Sequence, residues 1–297
     1  MLSNALEYTH ILKTDFATPK NIIVIGAGGT GGYVIPNLAR QVSLQNKLRE
    51  MEGLQAHTIT IIEADEVELK NLTRQNFIER DISKNKGQVL AERYGAAFGT
   101  SINFVTEYVE SAAQLATIAN QVRQSAGYGM IPVIVDCVDN NKTRVIMHEA
   151  AKQLSEEGRN VFFISSGNEE WSGQVVCSSL PRHYQQRRDN YRIQNMERDN
   201  RYHTFRTPLL GEMFPEVMHA EDKLPSEMSC AERAVSAPQN ILTNMVAANL
   251  IFTFLNTILT AKERHEGLKH FAVMFDAQNS VFRTIFNKES EIVKYLP

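Results

Sequence analysis

The chain has 297 residues, 43% of them hydrophobic and 22% charged, with a formal net charge of −3 at pH 7. That is enough apolar material for one large α/β domain or two small ones, and it excludes a disordered chain. The near-neutral charge gives no bulk footprint for nucleic acid. The three cysteines (Cys137, Cys177 and Cys230) stand far apart without a CxxC pair, which leaves no basis for a zinc knuckle or a disulfide framework.

The first twenty residues read as a short lead-in helix with a turn at Pro19; they lack the layout of a signal peptide, so a cytoplasmic protein is expected. Ile22 to Ile25 read as a strand buried on both faces, which breaks into Gly26, Gly28, Gly29, Gly31 and Gly32. A helical pattern follows at Tyr33, Val34, Leu38, Ala39 and Val42. Strand, glycines and helix in that order predict a phosphate-binding turn. Glycines permit backbone angles that a Cβ forbids, and they let phosphates lie against bare N–H groups at the positive end of the helix.

The helix is expected to run on through Ser43 to Gly53, before a second strand at Thr58 to Ile62 that ends in Glu63-Ala64-Asp65. An acid at that point accepts hydrogen bonds from ribose hydroxyls, typically ~20 residues beyond the glycines. Here Gly31 to Glu63 spans 32 positions (63 − 31), which implies an insertion of about a dozen residues near 43–57. An ordinary solvated carboxylate is the alternative reading of Glu63.

A polar stretch then leads to a helix from about Lys86, a strand at Asn103 to Tyr108, and a helix from about Ser111 to Ser125. Ile131 to Val135 is a further buried strand running into Asp136-Cys137-Val138-Asp139-Asn140, a carboxylate and amide where α/β sheets place ligand chemistry. Lys142 to Gly158 reads as helix, Val161 to Ser165 opens a strand, and Trp171 to Ser178 reads as another.

From Pro181 to Glu227 the chain turns charged and aromatic, with prolines at 208, 215 and 225. Arginines interleaved with tyrosines suit base stacking; the mixed-in acids favour a solvated helix or a protein-contact loop, and no nucleic-acid partner is expected. Ile241 to Leu259 has the length of a membrane span. Asn249, Thr253, Asn256 and Thr260 nevertheless share one helical face, a stripe too costly to expose to lipid, so a buried or interface helix is expected. A strand at Phe271 to Asp276 and a return through Val281 to Phe286 close the chain. The fold class expected is α/β: a Rossmann-like three-layer fold with a mostly parallel central sheet and antiparallel strands toward the C-terminal half. It is read as one domain over 1–297 with a long inserted loop at about 181–228.

A glycine turn with a downstream acid fits NAD, FAD and ATP alike. The segment from Asn71 to Lys86 separates them, because a nucleoside triphosphate brings extra negative charge that must be offset for attack at its α-phosphorus. Arg74 and Lys86 lie 12 positions apart (86 − 74) and flank a turn, which suits that task. Asp139 could hold Mg²⁺, which binds through one or two carboxylates plus phosphate oxygens.

Four blocks in order then resemble the ThiF/MoeB family, bacterial relatives of the ubiquitin-activating enzymes. They are G-A-G-G-T-G (26–31), E-A-D-x-V-x-x-x-N-L-x-R-Q (63–75), D-I-S-K-N-K (81–86) and D-C-V-D-N-x-x-x-R (136–144). A fifth, S-C-A-E-R-A-V-S-A-P (229–238), is similar to the family's cysteine-bearing segment before its last long helix. The surrounding F-P-E-V and L-P-S-E-M-S-C most resemble the ThiF-type proteins of bacterial PRTRC gene clusters.

The resemblance implies ATP and Mg²⁺ as cofactors and a small ubiquitin-like protein ending in Gly-Gly as partner, its C-terminal carboxylate activated as an acyl-adenylate. It implies the glycine turn (Gly26, Gly28, Gly29, Gly31) as cradle, Glu63 or Asp65 on the ribose, with Glu63 in place of the family's usual Asp, and Asn71, Arg74 and Lys86 on the phosphates. Asp139 would bind Mg²⁺, with Asn140 beside it. Cys230 becomes a thioester nucleophile, with Arg233 to lower its pKa, or else a small buried hydrophobe. Cys137 and Cys177 are expected in the core.

Relatives pair through the face of the last long helix, so a homodimer is implied. The family's paired CxxC motifs are absent, and the 181–228 insert replaces that region as a possible partner surface. Residues 1–20 contain no arginine to reach a partner subunit's ATP, leaving Lys13 or Lys20 for that contact. Adenylation of a small peptide or carboxylic acid, a nucleotide-binding scaffold without turnover, and an NAD-linked reductase stand as rivals.

Overall fold

The computed structural model describes residues 16–126, 129–183, 206–219, 223–227, 240–262 and 266–295. Its strands are β1 (Lys20–Ile25), β2 (Thr58–Ile62), β3 (Asn103–Val105), β4 (Ile131–Asp136), β5 (Val161–Asn168), β6 (Ser172–Leu180), β7 (His270–Asp276) and β8 (Val281–Phe286). They form one eight-stranded sheet in the order β3-β2-β1-β4-β5-β6-β7-β8. The pairings from β3 across to β5 are parallel, and those from β5 to β8 are antiparallel. Among the described residues the sheet is flanked by helices α1 (Gly29–Met51), α2 (Lys86–Phe98), α3 (Ala112–Ala126), α4 (Asn141–Glu156), α5 (Leu210–Met213), α6 (Ile241–Thr260) and α7 (Glu289–Ile292). This is the expected Rossmann-like three-layer α/β fold.

Every position of β1 and β4 is buried, because helices cover both faces and leave no wet side to alternate toward. Ile22 and Val24 point into the core made with Leu38 and Val42 of α1, Leu90 of α2 and Phe254 of α6. Ile23 and Ile25 point into the opposite core, with Leu115 of α3 and Met147 and Leu154 of α4. Each such aliphatic side chain, once fully buried, contributes about 1.5–3 kcal/mol.

The insertion read between Gly31 and Glu63 lies mostly in α1, which is 23 residues long, or roughly 35 Å at helical rise. Arg49 ties its far end back, donating from Nε to the Gln55 carbonyl at 2.6 Å and from Nη1 to the Phe16 carbonyl at 2.7 Å. β3 stops at Val105 rather than Tyr108; Tyr108 instead turns its hydroxyl onto Asp65.

Helix α6 is long and apolar enough to cross a membrane. Its Ala247, Ile251, Phe254, Leu255 and Ile258 are, however, packed into the sheet and α1. Asn249 and Thr253 lie exposed and Asn256 and Thr260 half-buried, so the polar stripe occupies the outer face as expected. α6 runs parallel to α1: Thr30 meets Asn244 at one end, and Glu52 pairs with Lys262 at the other. Of the 181–228 insert, Leu209, Leu210, Met213 and Val217 pack against α4. Residues 1–15 and the arginine–tyrosine run at 184–205 lie outside the described residues.

Candidate functional site: a nucleotide-binding crevice

β1 and β4 are parallel neighbours whose ends are level, with Ile25 opposite Asp136. The chain leaves β1 for α1 on one face and β4 for α4 on the other. Such a reversal opens a crevice at the carboxyl ends of the strands, where α/β folds bind ligands. The glycine turn and the Asp136–Asn140 loop form its two lips.

Gly26 has φ +92°, and a Cβ there would stand 2.7 Å from the Cys137 carbonyl oxygen. A Cβ at Gly31 would stand 2.0 Å from the Gly26 oxygen. These two glycines are what allow the turn to fold against β4. Gly28 occupies the N-cap of α1 without a side-chain cap, and the first turn contains no acid. Among the described residues no side chain accepts from the first amides of α1, the arrangement a bound anion completes. Gly29 is a glycine for a different reason: its Cβ would lie 2.3 Å from Asn244 Nδ2. Asn244 accepts from Thr30 Oγ1 and from Asn168 Nδ2, each at 3.3 Å, and its buried Nδ2 has no hydrogen-bond partner among the described residues.

Glu63 ends β2 and bridges to the turn, Oε2 accepting from Ala27 N at 2.8 Å and Oε1 from Asp65 N at 2.9 Å. Burial pushes its carboxyl up, Lys86 pulls it back down and Asp65 pushes it up again. Lys86 is the first residue of α2, after an Asn85 cap that accepts from Gln88 N at 2.9 Å. Its side chain is 7% exposed and its ammonium donates to Asp65 Oδ2 at 3.2 Å, while Tyr108 donates to Asp65 Oδ1 at 2.6 Å. A buried ammonium at the positive end of a helix requires such a carboxylate.

Asn71 is buried and closes the loop from Glu68, accepting from Glu68 N at 2.8 Å. The half-buried Arg74 guanidinium makes no hydrogen bond or ion pair among the described residues. Next to it, Gln75 lies against Gly28, with a buried Oε1 that has no hydrogen-bond partner among the described residues.

On the other lip Asp136 is fully buried and accepts from Val138 N at 3.0 Å, Arg144 Nε at 3.2 Å and Ser165 Oγ. Burial pushes its carboxyl up, with Arg144 and Ser165 opposing. Arg144 also donates to the Val138 and Ser166 carbonyls and to Asn141 Oδ1. This network clamps the loop that presents Asp139 exposed to solvent. Asn140 caps α4, accepting from Thr143 N at 2.9 Å, and donates to the Lys223 carbonyl at 2.7 Å.

The structure therefore brings Gly26, Gly28, Gly29, Gly31, Glu63, Asp65, Lys86, Asp139 and Asn140 to the carboxyl ends of the parallel strands, with Arg74 on the loop whose Gln75 lies on Gly28. Asn71 enters as a loop closure. Cys230 and Arg233, like Lys13, lie outside the described residues. Cys137 and Cys177 are buried, and burial pushes both thiols up.

Lys20 is corrected: it is fully buried at the start of β1, the end of the strand away from the glycine turn, and its ammonium donates to the Thr18 carbonyl at 2.6 Å. It is in no position to reach a nucleotide in this crevice or in a partner's. Sequence reading passed over Gln75, Tyr108 and Asn168, and saw in Asn244 only a further polar group on an apolar helix. Of these, Gln75 stands inside the E-A-D block, a signal that could have found it.

The ThiF family model matches residues 16–291. Among solved structures, MccB of E. coli with AMPCPP and MccA is similar at 15% identity over 90% of this chain and 64% of that one, with a TM-score of 0.54. The ATP complex of the same protein gives 16% identity, 92% and 65% coverage, and 0.52. PaaA gives 15%, 91% and 64%, and 0.51. The chain thus spans less than two thirds of the length of these proteins. No curated protein matches it by sequence. With the family model covering almost the whole chain and the sheet, glycine turn and paired lips in place, the chain belongs to the ThiF family.

Proposed function

We propose that this protein is an Mg-ATP-dependent adenylyltransferase acting on the C-terminal carboxylate of a small protein or peptide. The finer reading is a ubiquitin-like partner ending in Gly-Gly. The observation that carries it is the Arg74 guanidinium, without a partner among the described residues, on the residue before the Gln75 side chain that lies on Gly28, the N-cap of an α1 whose first turn has no acid of its own. The residues present fit a triphosphate: open helix amides, one unpaired cation and one paired one. A dinucleotide needs no such cations. MccB, described as the Microcin C7 biosynthetic enzyme, has been crystallised with ATP and with N-formylated MccA. That favours a peptide as the second reading of the substrate.

In this mechanism Gly26 to Gly31 and the first amides of α1 hold the phosphates, and Glu63 and Asp65 hold the ribose. Arg74 and Lys86 offset the charge that builds as the substrate carboxylate displaces pyrophosphate from the α-phosphorus, with Asn71 keeping their loop closed. Asp139, a single exposed carboxylate, suits Mg²⁺, an ion that takes one or two carboxylates and otherwise phosphate oxygens; it would neutralise charge on the leaving group. Cys230 would accept the acyl group as a thioester, a proton leaving its sulfur and AMP leaving the carbonyl.

The chain acts as one domain with 181–228 inserted as a partner surface. Ile241, Leu242 and Met245 at the start of α6 are exposed apolar side chains on the last long helix, which supports a homodimer through that helix. ATP–pyrophosphate exchange with candidate proteins ending in Gly-Gly, and with short peptides, tests the reading. Tight NADH binding without ATP binding would favour the reductase instead.

A further inference from the structure

Pro36 lies in the interior of α1, two turns from its start. A proline has no N–H, and its ring collides with the carbonyl four residues earlier, turning that carbonyl out of the helix. The carbonyl concerned is that of Gly32, and it is occupied: Asn76 Nδ2 donates to it at 3.1 Å. The same amide reaches Tyr94 Oη at 2.8 Å, and Arg93 Nη1 donates to the Asn76 carbonyl at 3.1 Å. Phe77 follows directly and is buried in the core. Asn76 is thus gripped on three sides, two residues after Arg74 and one after the Gln75 side chain that lies on Gly28.

We propose that Pro36 and Asn76 are positioning residues: the proline opens the Gly32 carbonyl as a socket, Asn76 plugs it, and the plug fixes Arg74 beside the first turn of α1. What Arg74 then meets, the phosphates of a nucleotide, rests on the function proposed above; the socket itself does not. The arrangement separates two properties that ordinarily move together. An alanine at position 36 suits a helix interior and restores the missing N–H, so it favours the helix while competing for the carbonyl that Asn76 uses.

The test measures melting temperature, amide hydrogen exchange of residues 73–76 in the ligand-free protein, and the Kd for Mg-ATP. Pro36→Ala is expected to melt no lower than the parent, to exchange faster at 73–76, and to bind Mg-ATP about 3- to 10-fold more weakly, the scale of one lost hydrogen bond. Asn76→Ala is expected to show the same faster exchange and weaker binding. In an Arg74→Ala background, adding Pro36→Ala is expected to cost no further affinity, because the two act through one contact.

Unchanged exchange in both single variants overturns the socket, whatever the nucleotide does. Faster exchange with unchanged affinity, or a full additional loss in the Arg74→Ala background, overturns the positioning role. If Arg74→Ala alone binds Mg-ATP as the parent does, the assignment of Arg74 falls and the positioning role with it, while faster exchange in Pro36→Ala would still uphold the socket.

Discussion

Gly29→Ala isolates a packing constraint inside a turn whose glycines are otherwise read as phosphate-binding. The added Cβ would sit 2.3 Å from Asn244 Nδ2 and 2.9 Å from its Cγ, on a side chain that is 1% exposed and held by Thr30 and Asn168. Relief requires α1 and α6 to part at this end or the Thr30–Asn168–Asn244 hydrogen bonds to break. Overpacking of this kind costs about 1–3 kcal/mol, and at ~2–4 °C per kcal/mol for a domain of this size the melting temperature should fall by roughly 2–12 °C. Asn244→Ala removes the obstacle but takes the acceptor from the buried Thr30 hydroxyl and leaves the half-buried Asn168 Nδ2 only its bond to Thr30 Oγ1, costing about 1–3 kcal/mol by itself. The double variant should therefore lose clearly less than the two singles combined, by about 1 kcal/mol or more, which a denaturant-unfolding cycle resolves. A Gly29→Ala protein as stable as the parent, or strictly additive losses, would refute the packing role.

Three further outcomes follow from the burial of titratable groups and from one hydroxyl. His57 is buried near Arg49 and Lys20, and burial first, then those cations, lowers its pKa to about 2. The unfolded chain binds a proton at about pH 6.5 that the folded chain refuses. This contribution is therefore whole above pH 6.5 and lost as pH falls, at up to about 1.4 kcal/mol per pH unit; His57→Gln should flatten ΔG against pH between 6.5 and 5, and an unchanged slope would contradict it. Tyr108→Phe removes a donor to the partly exposed Asp65 and should lower unfolding free energy by about 0.5–1.5 kcal/mol; no loss in urea titration would count against the pair. Cys137 and Cys177 should resist a thiol-alkylating reagent in the native protein, and peptide mapping that finds either one rapidly labelled would refute their place in the core.

Local patterns carried most of the fold. The run Ile22 to Ile25 and the run at Ile131 to Val135 are apolar throughout because both faces of a parallel sheet are covered, so each was legible as a central strand. Lys86 was legible as a helix start because Asn85 precedes it with a capping side chain. The polar face of α6 was legible from helical spacing alone. Contacts made only by tertiary approach were not. Nothing near position 29 announces Asn244, which lies 215 positions on (244 − 29). Tyr108 read as the end of a strand because its aromatic ring suits one, whereas its hydroxyl finds Asp65 beyond the end of the neighbouring strand β2. Lys20 was read by charge alone, yet the topology puts it at the wrong end of β1.

The measurement closest to the central claim is ATP–pyrophosphate exchange driven by a small protein or peptide with a free C-terminus, comparing the parent with Lys86→Ala and Asp139→Ala. Lys86 is a buried cation of the crevice and Asp139 an exposed carboxylate; losing either should reduce exchange by at least about 100-fold, the scale of one lost charge-stabilising contact. Exchange that survives both substitutions would contradict the account.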